Sequence, residues 1–223
     1  ACRPPRVSGS SARSHCIMLP PFVEARRLYA AMVPTSYACP KFIAGIRKQA
    51  ITALQLQPGE TVLDAGCGTG WCLPLLASQV GGHGHVMGFE PSPDMLDIAR
   101  ARTSRERLGN VTLQQASGET VVLDRIPDAI LFSYTHDLIR SPSALENIFR
   151  QAKPGARIVA VSTKFFPKWF FVGNWYLRYT HRVTITNFDG FDRPWTLLAT
   201  LCREHSVRTT TPGSRYLFEG RLP

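Results

Sequence analysis

Short apolar runs alternate along residues 61–161 with segments whose apolar positions recur every three or four residues. "TVLDAG", "HVMGFE", "NVTLQQA", "DAILFSY" and "ARIVAVST" are β-branched or continuous apolar runs ended by glycine or polar residues, and they predict five strands. Between them, "WCLPLLASQV", "SPDMLDIARART" and "SALENIFRQA" carry the helical period. Pro74 lies near the start of the first, Ser92 and Pro93 supply a cap and an N1 proline for the second, and "KPG" makes the turn after the third. Strands and helices taking turns in this way predict a parallel, doubly wound sheet. Upstream, "FVEARRLYAAM" and "PKFIAGIRKQAITALQL" read as two helices separated at Pro34 and Pro40. Downstream, "HSVRTTTPGSRYLFEGRL" supplies two alternating strands around "PGS", the pattern of a hairpin.

The chain has 223 residues, of which 44% are hydrophobic, enough for one substantial core. Residues 1–20, rich in Pro, Ser and Arg, read as an extended or disordered tail. Residues 21–223 then form a single domain, with a helical cap at 21–57 and an aromatic-rich insertion at 164–195. No apolar run in the tail is long enough for a signal peptide or a membrane span.

The net charge of +10 is unevenly placed. Residues 1–60 carry 8 basic and 2 acidic side chains, 61–161 carry 9 and 10, and 162–223 carry 9 and 4. The core is neutral and both flanks are basic. The six cysteines form no CxxC pair and show no metal-ligand spacing with histidine, which argues against a zinc site and for thiols in a reducing compartment.

Ligands of doubly wound sheets sit at the carboxyl ends of the strands. Here those ends carry Gly66, Gly68 and Gly70 after the first strand, Glu90 after the second, and "SYTHD" from Ser133 after the fourth. A dinucleotide fingerprint requires GxGxxG, whereas this loop is GxGxG with Trp71 next, which weakens a pyrophosphate reading. A carboxylate at position 90 can accept both hydroxyl hydrogens of a ribose, so an adenosine cofactor fits the pair of features.

"VLDAGCGTG" followed by "GFEPSPDMLDIAR" resembles motifs I and II of the class I S-adenosylmethionine-dependent methyltransferases, close in style to the small-molecule, ubiquinone/menaquinone methyltransferase-like group. The resemblance covers roughly residues 37–162. It implies a Rossmann-like three-layer α/β/α sandwich, its mostly parallel seven-stranded sheet ending in a C-terminal antiparallel hairpin. It implies S-adenosyl-L-methionine as cofactor, with Asp64 near the methionine amino group and Gly66, Cys67, Gly68, Thr69 and Gly70 giving close backbone approach. Glu90 would hold the ribose, Pro91 and Met95 would pack against the adenine, Ser133 would stand at the end of the fourth strand, and Tyr37 would approach the methionine end. Where the family usually has "GDA" after the third strand, this chain has Ala116 and Ser117, so Ser117 replaces the usual Asp at the adenine edge.

The implied reaction transfers a methyl group to O, N or C of a lipophilic or aromatic small molecule. His136 is the candidate general base, since imidazole is matched to proton removal near neutral pH. Tyr134, Trp175 and Phe188 are candidate acceptor contacts, with His136 or Asn187 orienting the acceptor. The aromatic insertion, in which Lys164, Lys168, Arg178, Arg182 and Arg193 are interleaved, has three readings: a core-packing helix, a lid over an apolar acceptor, or an interfacial helix at 164–182 on an anionic membrane. Nucleic-acid binding lacks any accompanying recognition motif. A non-catalytic cofactor-binding regulator on the same fold is the alternative to an enzyme, ahead of an NAD-dependent reductase. The expected location is cytoplasmic, with peripheral contact at a membrane surface as its variant.

Overall fold

The computed structural model describes residues 41–181, 188–210 and 213–223. The first of the two upstream helices, Tyr37 and Asn187 lie outside these residues. The described chain opens with α1 (Lys41–Ala53), then runs β1 (Thr61–Ala65), α2 (Leu73–Val80), β2 (His85–Phe89), α3 (Pro93–Arg105), β3 (Val111–Gln114) and β4 (Ala129–Ser133). A 3-10 turn (Leu138–Arg140) precedes α4 (Pro142–Arg150), β5 (Arg157–Thr163), α5 (Phe171–His181), α6 (Thr196–Leu201), β6 (Glu204–Thr209) and β7 (Arg215–Arg221).

The strands form one seven-stranded sheet in the order β3-β2-β1-β4-β5-β7-β6. β1 to β5 pair in parallel, and β7 inserts antiparallel between β5 and β6. The C-terminal hairpin is therefore present, and the strand order is not the 3-2-1-4-5-6 of dinucleotide dehydrogenases.

Continuous apolar strands are needed because the sheet is buried on both faces. Val62, Val86, Leu131 and Val159 pack with Ile46, Ala50 and Ile51 of α1 and Leu54 just after it, with Leu73 and Leu76 of α2, and with Ala99 of α3. Their chain neighbours Leu63, Met87, Ile130 and Ile158 point the opposite way, to Leu145 and Ile148 of α4 and Leu198 of α6. The period of two then decides where polar residues at the strand ends go. Asp64 shares the face of Val62, and Ser133 shares that of Leu131, so both carry their side chains to the α1 side.

One local expectation needs correction. α3 begins at Pro93 after Ser92, but the Ser92 side chain makes no capping bond. Its backbone N–H instead donates to Glu90 Oε1 at 2.9 Å, tying the helix start to the end of β2. In α4 the cap does form, Ser141 Oγ accepting from the Ala144 N–H at 3.3 Å.

Candidate active site

β1 and β4 are adjacent, and the chain leaves them in opposite directions across the sheet, which makes their carboxyl ends the topological switch point. The glycine loop starts there. Gly66, Gly68 and Gly70 all have positive φ, at 72°, 56° and 73°, a region that glycine alone occupies without strain. Space restricts them as well. A Cβ on Gly68 would stand 3.1 Å from Met95 Cε, and one on Gly70 would stand 2.8 Å from Leu73 Cδ1 and 3.0 Å from Ala99 Cβ. The loop backbone is thus packed on α2 and α3 while its other side faces the strand ends.

Two charged side chains brace it. Glu90, 7% exposed, accepts the Gly68 N–H on Oε2 at 3.2 Å and the Ser92 N–H on Oε1 at 2.9 Å. A carboxylate has about four lone-pair sites, so each oxygen can accept more than one hydrogen bond. Arg102 of α3 is buried and donates from Nε to the Thr69 carbonyl at 3.2 Å. Cys67 is also buried, its N–H bonded to the Phe89 carbonyl at 2.9 Å, and burial pushes its thiol pKa up, so it is packed rather than reactive.

Asp64 is the electrostatic centre of the site. It is 1% exposed, and neither carboxylate oxygen has a hydrogen-bond partner among the described residues. Burial raises its pKa to about 7; Arg47 opposes the rise and Glu90 adds to it. Arg47 comes from α1, where its Nε donates to Ser133 Oγ at 3.1 Å. Its guanidinium carbon lies 5.5 Å from the Trp71 ring centre and 5.2 Å from that of Tyr134. A buried carboxylate without a donor is costly unless a cation or hydrogen-bond donor arrives, so this pocket fits an ammonium group. Neither Arg47 nor Arg102 was singled out from sequence. Arg47 occurs in a helix that also carries Lys41 and Lys48, and only the docking of α1 gives it a special place.

The strand-four end is strained. Tyr134 has φ 61°, rare for a residue with a side chain, and its N–H is held by the Val161 carbonyl at 2.8 Å. Thr135 follows against the glycine loop: a Cβ on Gly66 would meet its Cγ2 at 2.6 Å. His136 is buried, with its ring centre 4.7 Å from that of Phe191 in an edge-on contact. Arg140 Nη1 lies 3.4 Å from His136 Nε2. Since a guanidinium can only donate, Nε2 is the lone-pair nitrogen.

Phe191 belongs to an aromatic cluster with Phe165, Phe166, Phe188 and Leu177. Phe188 stacks on Phe165 at 5.9 Å, and Arg178 lies over both rings. The structure therefore connects His136 and Phe188 through Phe191, whereas Tyr134 packs on the α1 side beneath Arg47, and Trp175 is 68% exposed and stacks on Tyr179 along the outer side of α5. Of the residues expected at the adenine, Pro91 and Met95 are half-buried, Pro91 directly after Glu90 in the chain. Ala116 packs into the core near Phe89, and Ser117 Oγ lies 3.2 Å from Thr120 Oγ1. Among the described residues, no group of three or more His, Cys, Asp or Glu side chains is arranged to hold a metal.

Residues 56–175 match the family model of the methyltransferase domain. The chain belongs to that family. A similar relative is the demethylmenaquinone methyltransferase of Listeria monocytogenes, 29% identical over 137 residues that cover 60% of this chain and 58% of that protein. The arsenite methyltransferase of Halobacterium salinarum is 31% identical over 117 residues, covering 50% of this chain and 30% of that one. The chain thus covers less than two thirds of the length of these curated relatives. A SAM-dependent methyltransferase from Aquifex aeolicus has the same fold, with a TM-score of 0.58 at 21% identity over 83% of this chain and all of its own. So has the N-methyltransferase NodS of Bradyrhizobium japonicum, at 0.59 and 16% over 82% and 97%. S-adenosyl-L-methionine is the cofactor of this methyltransferase family.

Proposed function

We propose that this methyltransferase-domain chain transfers a methyl group from S-adenosyl-L-methionine to O, N or C of a lipophilic or aromatic small molecule. The observation that carries the reading is Asp64, a buried carboxylate that no described residue donates to, directly before a left-handed glycine loop and within the electrostatic reach of Arg47. Asp64 holds the ammonium of the cofactor, Arg47 its carboxylate, and Glu90 its ribose hydroxyls. Gly66, Cys67, Gly68, Thr69 and Gly70 present the backbone, while Pro91, Met95, Ala116 and Ser117 bound the adenine. Ser133 acts through Arg47, whose side chain it orients.

The bound sulfonium supplies an activated methyl group, so the protein's remaining work is to align the acceptor and exclude water. Tyr134, His136 and Phe188 form the acceptor side of the reading, with Asn187 as a further contact. His136 serves as general base in this reading, which requires its Nε2 lone pair to exchange the Arg140 contact at 3.4 Å for the acceptor hydroxyl or amine. The menaquinone-type relative favours a ring-bearing, apolar acceptor, and so does the phenylalanine cluster behind His136.

Calorimetric titration with S-adenosyl-L-methionine and with NADH tests the cofactor. Binding of the first and not the second is expected, and the converse would refute the assignment. Mass spectrometry of a cell extract incubated with the protein and labelled methyl donor then identifies the acceptor; binding without any labelled product would favour a regulatory protein on the same fold.

A further inference from the structure

α5 is amphipathic in the wrong direction for a helix that only packs. Taking about 100° per residue, Phe171, Val172, Trp175, Tyr176 and Tyr179 fall within an arc of about 140°. All five are exposed, as are Trp169 and Phe170 just before the helix. Trp169 is 79% exposed and Phe171 73%. The opposite side fixes the helix to the protein. Leu177 is buried against Phe191, Asn174 Oδ1 accepts the Phe166 N–H at 2.8 Å, and Gly173 allows the Phe170 ring to lie where a Cβ would stand only 2.3 Å from it. The aromatic stripe is therefore held outward by specific contacts on its back. A contiguous apolar patch of this kind marks an interaction surface.

Charge selects the partner. Residues 164–188 contain Lys164, Lys168, Arg178 and Arg182 and no Asp or Glu, and Lys168 and Arg178 are exposed beside the stripe. A second copy related by a two-fold axis would set these cations against their own kind. The chain's own residues 1–40, with five Arg and one Glu, are of the same sign. An anionic surface is complementary, and Trp and Tyr beside basic residues are the composition of a helix lying at the headgroup level of a bilayer. With 11 residues, α5 is about 16 Å long, about half of a bilayer core, and no described helix is long and apolar enough to cross a membrane.

We infer that the outer face of α5 docks on anionic lipid bilayers, with Trp169, Phe171 and Trp175 at the acyl boundary and Lys168 and Arg178 among the headgroups. Its inner face leads through Leu177 and Phe191 to His136, so an apolar acceptor dissolved in the bilayer reaches the site without crossing water. This last step rests on the function proposed above; the docking itself does not.

The test is cosedimentation of the full chain with vesicles of phosphatidylcholine containing about 30% phosphatidylglycerol and with vesicles of phosphatidylcholine alone. Binding to the anionic vesicles is expected to fall at least about tenfold between about 0.05 and 0.5 M salt. Trp169→Gln combined with Phe171→Gln should lower it at least about tenfold at low salt, because two large apolar side chains no longer enter the interface. Lys168→Glu should lower binding to anionic vesicles only. Circular dichroism and melting of the variants should match the parent, both aromatic side chains being exposed.

No binding at low salt, equal binding to neutral vesicles, or unchanged binding of the double variant would each overturn the inference. So would self-association of the parent that the double variant abolishes, since a second copy would then cover the stripe. Calorimetry with S-adenosyl-L-methionine on the same samples separates the two readings: vesicle binding without cofactor binding refutes the proposed function and leaves the docking surface, and the reverse refutes only the docking.

Discussion

Replacing Asp64 by Asn should remove that residue's share of the pH dependence of stability and cost the protein cofactor affinity. Burial raises the Asp64 pKa to about 7, well above the value of an unfolded chain, near 3.9. Between those two values the folded chain holds a proton that the unfolded chain has lost, so stability must fall as pH rises through that window and level off above about 7. About three pH units at 1.36 kcal/mol each give a penalty of roughly 4 kcal/mol at pH 8 relative to pH 4, for this residue alone. Asn keeps the shape and never ionises. Unfolding by urea at intervals from pH 4 to pH 8 should therefore show a stability difference between parent and variant that grows with pH in the variant's favour. Taking the difference removes contributions shared by both proteins, including Asp128, whose pKa is lowered in spite of burial by its Lys153 and Thr61 partners and which acts with the opposite sign.

The same substitution removes the charge that an ammonium would meet. Cofactor affinity should drop by about 1.5 to 3 kcal/mol, the usual worth of a charged hydrogen bond. Near pH 6, binding to the parent should release a proton, because an adjacent cation favours the carboxylate, and calorimetry in buffers of different ionisation heat would count it. Parallel pH profiles of stability in the two proteins, or equal cofactor affinity, would refute the reasoning from burial to charge to binding.

The other sites give shorter tests. Gly68→Val should abolish cofactor binding measured by calorimetry while circular dichroism stays native, since valine at φ 56° is strained and its Cβ meets Met95 at 3.1 Å. Glu90→Ala should weaken binding by about 1.5 to 3 kcal/mol per charged hydrogen bond lost and also lower the melting temperature, because the Gly68 and Ser92 N–H groups lose their acceptor. His136→Gln, which keeps most of the volume beside Phe191, should lower kcat about 100-fold with cofactor affinity unchanged and with the loss shrinking at high pH; a raised KM at constant kcat would make His136 a pocket-shaping residue instead.

The sheet was legible because its strands are buried on both faces, so that Val62 and Leu63, or Ile130 and Leu131, are both apolar in spite of pointing opposite ways. The glycine loop was legible for a related reason: three positive φ values in five residues leave glycine little competition. Position 92 was not, because Ser and Pro in sequence describe a cap that the Glu90 carboxylate replaces with a bond to the Ser92 backbone. The aromatic insertion was harder still. A spacing of three and four says that Phe171, Trp175 and Tyr179 share a face of a helix, and nothing in that spacing says whether the face turns in or out. Gly173, Asn174 and Leu177 decide it, through contacts with Phe166, Phe170 and Phe191 that exist only in the folded chain.

Charge placement acquires a meaning from the same tertiary contacts. The strand-bearing core is nearly neutral overall, yet it concentrates Asp64 and Glu90 at one point, where burial makes two carboxylates unfavourable together. Backbone N–H groups from the glycine loop and from Ser92 stabilise Glu90, and no comparable donor among the described residues reaches Asp64. The cation that offsets it comes from outside the core, from the basic N-terminal flank, as Arg47 carried over the strand ends by the buried face of α1. Displacing α1 would remove that cation and leave the carboxylate with burial and Glu90 alone, both of which favour its protonated form. The affinity of the site for a positively charged group is therefore tied to the seating of α1, and a substitution as remote as Ile51→Ala, which loosens α1 on the sheet, should weaken cofactor binding as well as the fold, by a route that never touches the cofactor.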